Sequence, residues 1–92
     1  MKVFYSDTFD LSLPRGHHFP SEKYRLAREL LGTSNFATSI ELCLPPAVSD
    51  QQLLLVHTRQ YLDKVIQGKL SRVEQRRIGF PWSEQMVERS RR

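Results

Sequence analysis

Cysteine is nearly missing from this chain. Cys43 is the single one among 92 residues, so no internal disulfide is available to staple a small fold. Long apolar runs are missing too: the longest, Leu53 to Val56, falls far short of the roughly 20 residues that a membrane span needs. No apolar core follows Met1, which leaves a secretory leader without support and sets the expectation of a soluble chain in a reducing cytoplasm. There is no Gly-rich phosphate loop and no Ser nucleophile elbow. Ligand pairs spaced C-x-x-C or H-x-x-x-H are also absent, which argues against a tetrahedral metal site built here. A chain of this length forms one small domain that buries only about 60% of its unfolded surface.

What the chain does have is basic charge. Lys plus Arg outnumber Asp plus Glu by 14 to 10, and the excess gathers late, at Arg72, Arg76, Arg77, Arg89, Arg91 and Arg92. Such a cluster permits an acidic partner. Arg72, Arg76 and Arg77 punctuate a capped helix as a solvated face does, and no aromatic stacking series or nucleic-acid motif accompanies the charge, so nucleic acid is disfavoured as a partner.

The β-prone run Val3-Phe4-Tyr5 predicts a buried strand. Asp10 to Pro20 holds Pro14, Gly16 and Pro20 without a sustained period and predicts a loop. Ser21 is placed to cap a helix, with Tyr24, Ala27 and Leu31 on one face, Leu26 and Leu30 beside it, and Gly32 as its stop. These apolar residues read as core. From Phe36 to Leu44 apolar residues recur at even positions until Pro45-Pro46, the pattern of a second strand. Two strands joined by a helix are expected to lie parallel, as the opening unit of an α/β sheet.

The later segments carry clear helix punctuation. Ser49 with Gln52 is a capping box, stapled by Val48 and Leu53, that opens a helix through Val56. A break near His57 is expected, with Thr58 capping a further helix to Gly68. Ser71 with Glu74 is a second capping box, for a short basic helix ended by Gly79. Ser83 opens a last helix flanked by the staple Trp82 and Val87. After Val87 no apolar residue follows, so that segment is expected to fray and to be the front piece of a larger domain.

Few residues suggest chemistry by themselves. His17 and His18 are neighbours whose side chains diverge, so they do not make half of a metal site. His57 reads as a helix-junction residue donating to a nearby carbonyl. Cys43 reads as a small packing residue, since nothing around it lowers a thiol pKa.

Four stretches, VFYSDTF, RGHHFPSEKYRLARELL, LPPAVSDQQLLLVHTRQYLDKV and RRIGFPWSEQMVERSRR, in that order closely resemble the N-terminal region of histone deacetylase-like amidohydrolases of the class IV and bacterial branch. LLLVHTRQYL and RIGFPWS are the most specific pieces. The resemblance implies the arginase/deacetylase fold, an α/β domain with a parallel sheet of about eight strands and an acyl-lysine channel built from loops at the strand ends. In that family a zinc ion held by two Asp and one His activates water, a His pair does acid-base work and a Tyr polarises the acetyl carbonyl. All of those residues lie downstream of the segment matched here. No catalytic residue and no metal ligand is therefore carried over, and zinc is implied only for a full-length family member.

The family loop His-Pro-Glu-x-Pro-x-Arg falls on His17 to Lys23. His17 matches; His18, Phe19 and Lys23 replace the Pro, the Glu and the Arg. A Lys lacks the Arg fork, so an acetate-handling role is not transferred intact. The resemblance makes His17, Phe19, Lys23, Pro81 and Trp82 the substrate-channel candidates, with Trp82 equally well explained as the staple of the last helix.

The expectation is thus the N-terminal portion of a parallel-sheet deacetylase domain, two strands and about four to five helices, inactive alone. Its partners would be the remainder of that domain and, in the full protein, an acetylated lysine or amine. The competing expectation is a small stand-alone basic α/β module that binds an acidic protein or RNA.

Overall fold

The computed structural model describes residues 1–9 and 11–92. Strand β1 (Lys2–Phe4) lies parallel to β2 (Glu41–Cys43), with Lys2 opposite Glu41, Val3 opposite Leu42 and Phe4 opposite Cys43. Backbone bonds extend the pairing at both ends, from Glu41 N–H to the Met1 carbonyl at 2.9 Å and from Tyr5 N–H to the Cys43 carbonyl at 3.0 Å. The helix α1 (Glu22–Thr33) falls between the two strands in the chain. That is the long crossover parallel neighbours require, and the expected strand, helix, parallel strand unit is present.

The details of this unit differ from the sequence reading in four ways. First, β1 is not buried: Phe4 is 59% exposed, because a two-stranded sheet leaves it without a covering layer. Second, the alternation from Phe36 makes strand only at Glu41–Cys43. Residues 35–39 are turns, held by Ala37 N–H to Ser34 O at 3.1 Å and Ser39 N–H to Phe36 O at 2.8 Å. The Ser34 hydroxyl competes for the same backbone, donating to Leu31 O at 2.8 Å and accepting from Phe36 N–H at 3.2 Å; such local side-chain bonds favour turns over ladders.

Third, Ser21 has helical dihedrals and makes no side-chain cap; the preceding Pro20 already starts the turn, its carbonyl accepting from Lys23 N–H at 3.1 Å. Gly32 lies inside α1, which continues to Thr33 and ends at Ser34. Fourth, α1 buries none of its residues. Tyr24, Leu26 and Leu30 are exposed, Leu30 by 70%, and of the expected core face only Leu31 is half-buried, at the cavity it shares with the strands. Asp10, where the loop of the sequence reading begins, lies outside the described residues.

The second half follows its punctuation closely. Ser49 and Gln52 form the reciprocal capping box of α2 (Asp50–Leu53), with Gln52 N–H to Ser49 Oγ at 3.2 Å and Ser49 N–H to Gln52 Oε1 at 2.9 Å. This helix stops well before Val56, and the chain bends at His57. Thr58 caps α3 (Arg59–Gln67) by accepting from Tyr61 N–H at 3.2 Å. Gly68 closes it with φ at 69°, and Lys69 N–H reaches back to Lys64 O at 2.8 Å, the usual left-handed end of a helix. The box of Ser71 and Glu74 opens α4 (Arg72–Ile78), and Ser83 caps α5 (Glu84–Ser90) through Met86 N–H at 2.9 Å.

The core is small. Leu11 from the first loop, Leu62 from α3 and Met86 from α5 are the buried apolar residues, and half-buried Leu53, Val65, Ile66, Ile78 and Val87 surround a cavity of about 250 Å³ beside them.

The end of α5 is tied down, contrary to the expected fraying. Arg89 donates to Phe9 O at 3.1 Å, Arg91 to Val48 O at 3.1 Å and to Asp50 at 2.7 Å, and Arg92 to Pro45 O at 2.8 Å and Glu88 at 2.8 Å. Val48 N–H closes the contact on Arg91 O at 2.8 Å. These arginines are a set of charge-assisted clasps onto loop carbonyls, whereas Arg72, Arg76 and Arg77, the ones read as a solvated face, are exposed.

Candidate functional site

The loop after β1 is shaped by a turn in which His17 N–H donates to Pro14 O at 3.1 Å, with Gly16 at φ 82°. His17 Nδ1 then accepts the Phe19 N–H at 3.1 Å, so the imidazole is oriented by its own loop. The His17 and His18 side chains do not diverge as the sequence reading expected: their rings stack with centroids 4.7 Å apart, and the His17 ring also stacks on Phe80 at 6.0 Å. Phe19 meets Phe80 edge to face at 5.0 Å and lies 6.2 Å from Tyr24. Above these rings the Lys23 ammonium sits 5.3 Å from Phe19 and 5.1 Å from Tyr24, with the Arg89 guanidinium 5.2 Å from Tyr24 on its other approach. Cations placed over ring faces in this way are held by the ring quadrupole.

Three of the five channel candidates, His17, Phe19 and Lys23, are therefore brought together. His17 and Phe19 share the partner Phe80, which the sequence reading did not single out although it lies within RIGFPWS. Its role depends on two distant loops meeting, which no local pattern announces. Pro81 is exposed next to it. Trp82 is turned away from the cluster. Its indole N–H donates to the Val65 carbonyl at 2.6 Å, and its ring covers Gly68 so closely that a Cβ there would lie 3.0 Å from it. Trp82 thus seals the C-terminal end of α3.

Beside the rings, β1, β2 and α1 enclose a cavity of about 160 Å³ lined by Val3, Tyr5, Leu31 and Leu42, with Asp7 and Arg28 on its wall. Arg28 Nε and Nη2 both reach the Asp7 carboxylate at 2.8 Å, and the guanidinium lies 5.1 Å from the Tyr5 ring centroid. The hydrogen bonds from Arg28 hold the Asp7 carboxyl below its ordinary range, against the opposing effect of burial. A larger, open cavity of about 620 Å³ lies along α4, between Arg72 and Arg76 and the apolar Leu70, Phe80 and Trp82.

The remaining sequence candidates are structural. Cys43 lies on β2 with its Sγ 3.6 Å from Glu41 O. His57 donates to Leu53 O at 2.9 Å through its backbone N–H, while its ring faces Tyr61 at 5.6 Å. Among the described residues no three His, Cys, Asp or Glu side chains converge as a metal site, so the residues present do not fit the zinc of the resembled family. Among them, too, no helix is long and apolar enough to cross a membrane. The arrangement of rings and cations can hold and orient a ligand.

No family model matches this chain. It is 34% identical over 88 residues, 96% of its length, to an uncharacterized protein of Picosynechococcus sp.. The aligned part is 29% of that protein, so the chain spans less than a third of the length of the curated relative it matches.

Proposed function

We propose that this chain is the N-terminal portion of a zinc-dependent, histone deacetylase-like hydrolase with the arginase/deacetylase fold, acting in the cytoplasm on acetyl-lysine or related acetylated amines. The observation that carries this reading is the meeting of His17 and Phe19 with Phe80. In it the loop leaving the carboxyl end of β1 joins the loop after α4, the two loops from which the resembled family builds the entrance of its channel. Ligand sites at carboxyl ends of parallel strands are the general rule for open α/β sheets. The β1, α1, β2 crossover supplies the matching start of such a sheet, and a relative more than three times as long as the aligned segment leaves room for the rest of the domain.

In this reading His17, Phe19 and Phe80 form part of the rim, Lys23 lends it positive charge, and Trp82 stabilises the scaffold below. Zinc, supplied by ligands outside the 92 residues, would activate the attacking water. No step of that chemistry falls to a residue of this chain. The remainder of the domain is its first partner, and exposed Phe4, Leu44, Leu55 and Val56 are the faces it would cover.

The deciding experiment is to translate the genomic reading frame past Arg92 and assay the longer product on an acetyl-lysine peptide. The expected result is a frame encoding the two Asp and one His ligands and a product that releases acetate in a zinc-dependent way. A frame that closes at Arg92, or continues without those ligands, would end this reading and favour the stand-alone module.

A further inference from the structure

The segment from Lys69 to Ile78 carries four cations, Lys69, Arg72, Arg76 and Arg77, and a single acid, Glu74. That acid is committed elsewhere: it accepts the Ser71 N–H at 3.2 Å and pairs with Lys64 at 3.5 Å. Arg72 and Arg76 stand one turn apart on α4, where like charges repel across the helix surface. Both line the 620 Å³ cavity. Neither has an acidic partner or a side-chain hydrogen bond among the described residues, whereas Arg25, Arg28, Arg91 and Arg92 are all paired. The opposite wall is apolar, formed by Leu70, Phe80, Pro81 and Trp82.

We infer that this cavity is a docking site for an acidic peptide segment in which an apolar side chain is flanked by carboxylates. The apolar side chain enters against Leu70, Phe80 and Trp82 while Arg72 and Arg76 take the carboxylates, a geometry the guanidinium fork suits. The volume is that of a small ligand site and much larger than a single ion. Nucleic acid fits it less well. Trp82 spends its N–H on Val65 and lays its ring over Gly68, so no series of free ring faces accompanies the charge, as base stacking requires. The inference does not depend on the deacetylase reading.

Trp82 is the only tryptophan, so its emission reports on the site. The 92-residue chain is titrated with a capped EELFEE peptide, with the neutral QQLFQQ peptide and with oligothymidylate of matching length. The expected result is a saturable emission change with EELFEE alone. In the R72Q/R76Q variant, affinity for that peptide should fall at least about tenfold, the scale of two lost charge-assisted bonds. Arg77→Gln removes a charge outside the cavity and should change affinity no more than roughly twofold, as rim charges do. Circular dichroism checks that both variants fold, and the comparison of the two peptides on the unmodified chain stands without them. Equal binding of QQLFQQ, no saturable change, equal effects of R72Q/R76Q and R77Q, or tighter binding of oligothymidylate would each overturn the assignment.

Discussion

Arg28 holds Asp7 with two parallel bonds of 2.8 Å, Nε to Oδ1 and Nη2 to Oδ2, and so locks the chain leaving β1 against the middle of α1. Asp7 has only 3% of its side chain exposed, so this is the most enclosed ion pair in the molecule among the described residues, and it stands where the loop carrying His17 and Phe19 departs. The clasp fixes the base of the ring cluster and leaves the rings themselves at the surface.

Replacing Asp7 by Asn removes the charge while keeping the shape. The loss should be about 1–2 kcal/mol, the scale of hydrogen bonds to a charged group in a partly enclosed site. Because the folded carboxyl lies below its ordinary value of 3.8, its contribution is fully present above that pH and fades as pH falls through the lower folded value. Denaturant unfolding of the two proteins should differ by a constant amount near neutrality, and the difference should shrink below about pH 4. A gap that widened in acid would show that Asp7 is not held ionised by Arg28.

Gly68 and Gly79 test whether Trp82 seals α3. Both have left-handed backbones, φ 69° and 82°, so Ala at either position costs about 1–2 kcal/mol. Gly79 has nothing within 4 Å of an added Cβ, whereas Gly68 has the Trp82 ring at 3.0 Å. Gly68→Ala should therefore destabilise more than Gly79→Ala, and only Gly68→Ala should shift the Trp82 emission. Equal losses with unchanged emission would place the indole elsewhere in solution.

The helix ends of the second half were legible in the sequence because a cap is local. Ser49, Thr58, Ser71 and Ser83 each bond a backbone N–H three residues on, and Gly68 and Gly79 end helices by their own freedom of φ. The errors arose where a remote or competing partner decides. Ser21 looks like a cap until Pro20 starts the turn for it, and the Phe36 alternation fails because Ser34 captures the backbone first. The end of α5 read as frayed because the acceptors that hold its arginines, the carbonyls of Phe9, Pro45 and Val48, carry no side-chain signature. The family frame named His17, Phe19 and Lys23, which their own loop keeps close together, while the contact of Phe80 with His17 and Phe19 emerged only when two loops met.

The chain by itself should hold no stoichiometric zinc and should release no acetate from acetyl-lysine peptides. His17 Nδ1 already accepts the Phe19 N–H and its ring is stacked on His18. A tetrahedral site needs three or four converging donors, and the described residues offer no such group. Elemental analysis after dialysis, paired with an acetate-release assay, checks this. One zinc per chain together with turnover abolished by a hydroxamate would overturn it.

Self-association should expose the uncovered faces. Leu55 and Val56 follow α2 at 83% and 79% exposure, adjacent in a turn where nothing among the described residues covers them, and only Leu11, Leu62 and Met86 form the buried core. Exposed apolar patches of this kind promote association, and a domain this small has little stability to spare. Sedimentation should show the weight-average mass rising with concentration, and the double variant Leu55→Glu with Val56→Lys should return it toward the monomer without altering the circular dichroism. A chain that stays monomeric at every concentration and unfolds cooperatively with about 5–15 kcal/mol, the range of ordinary independent domains, would mean that Leu55 and Val56 await no partner.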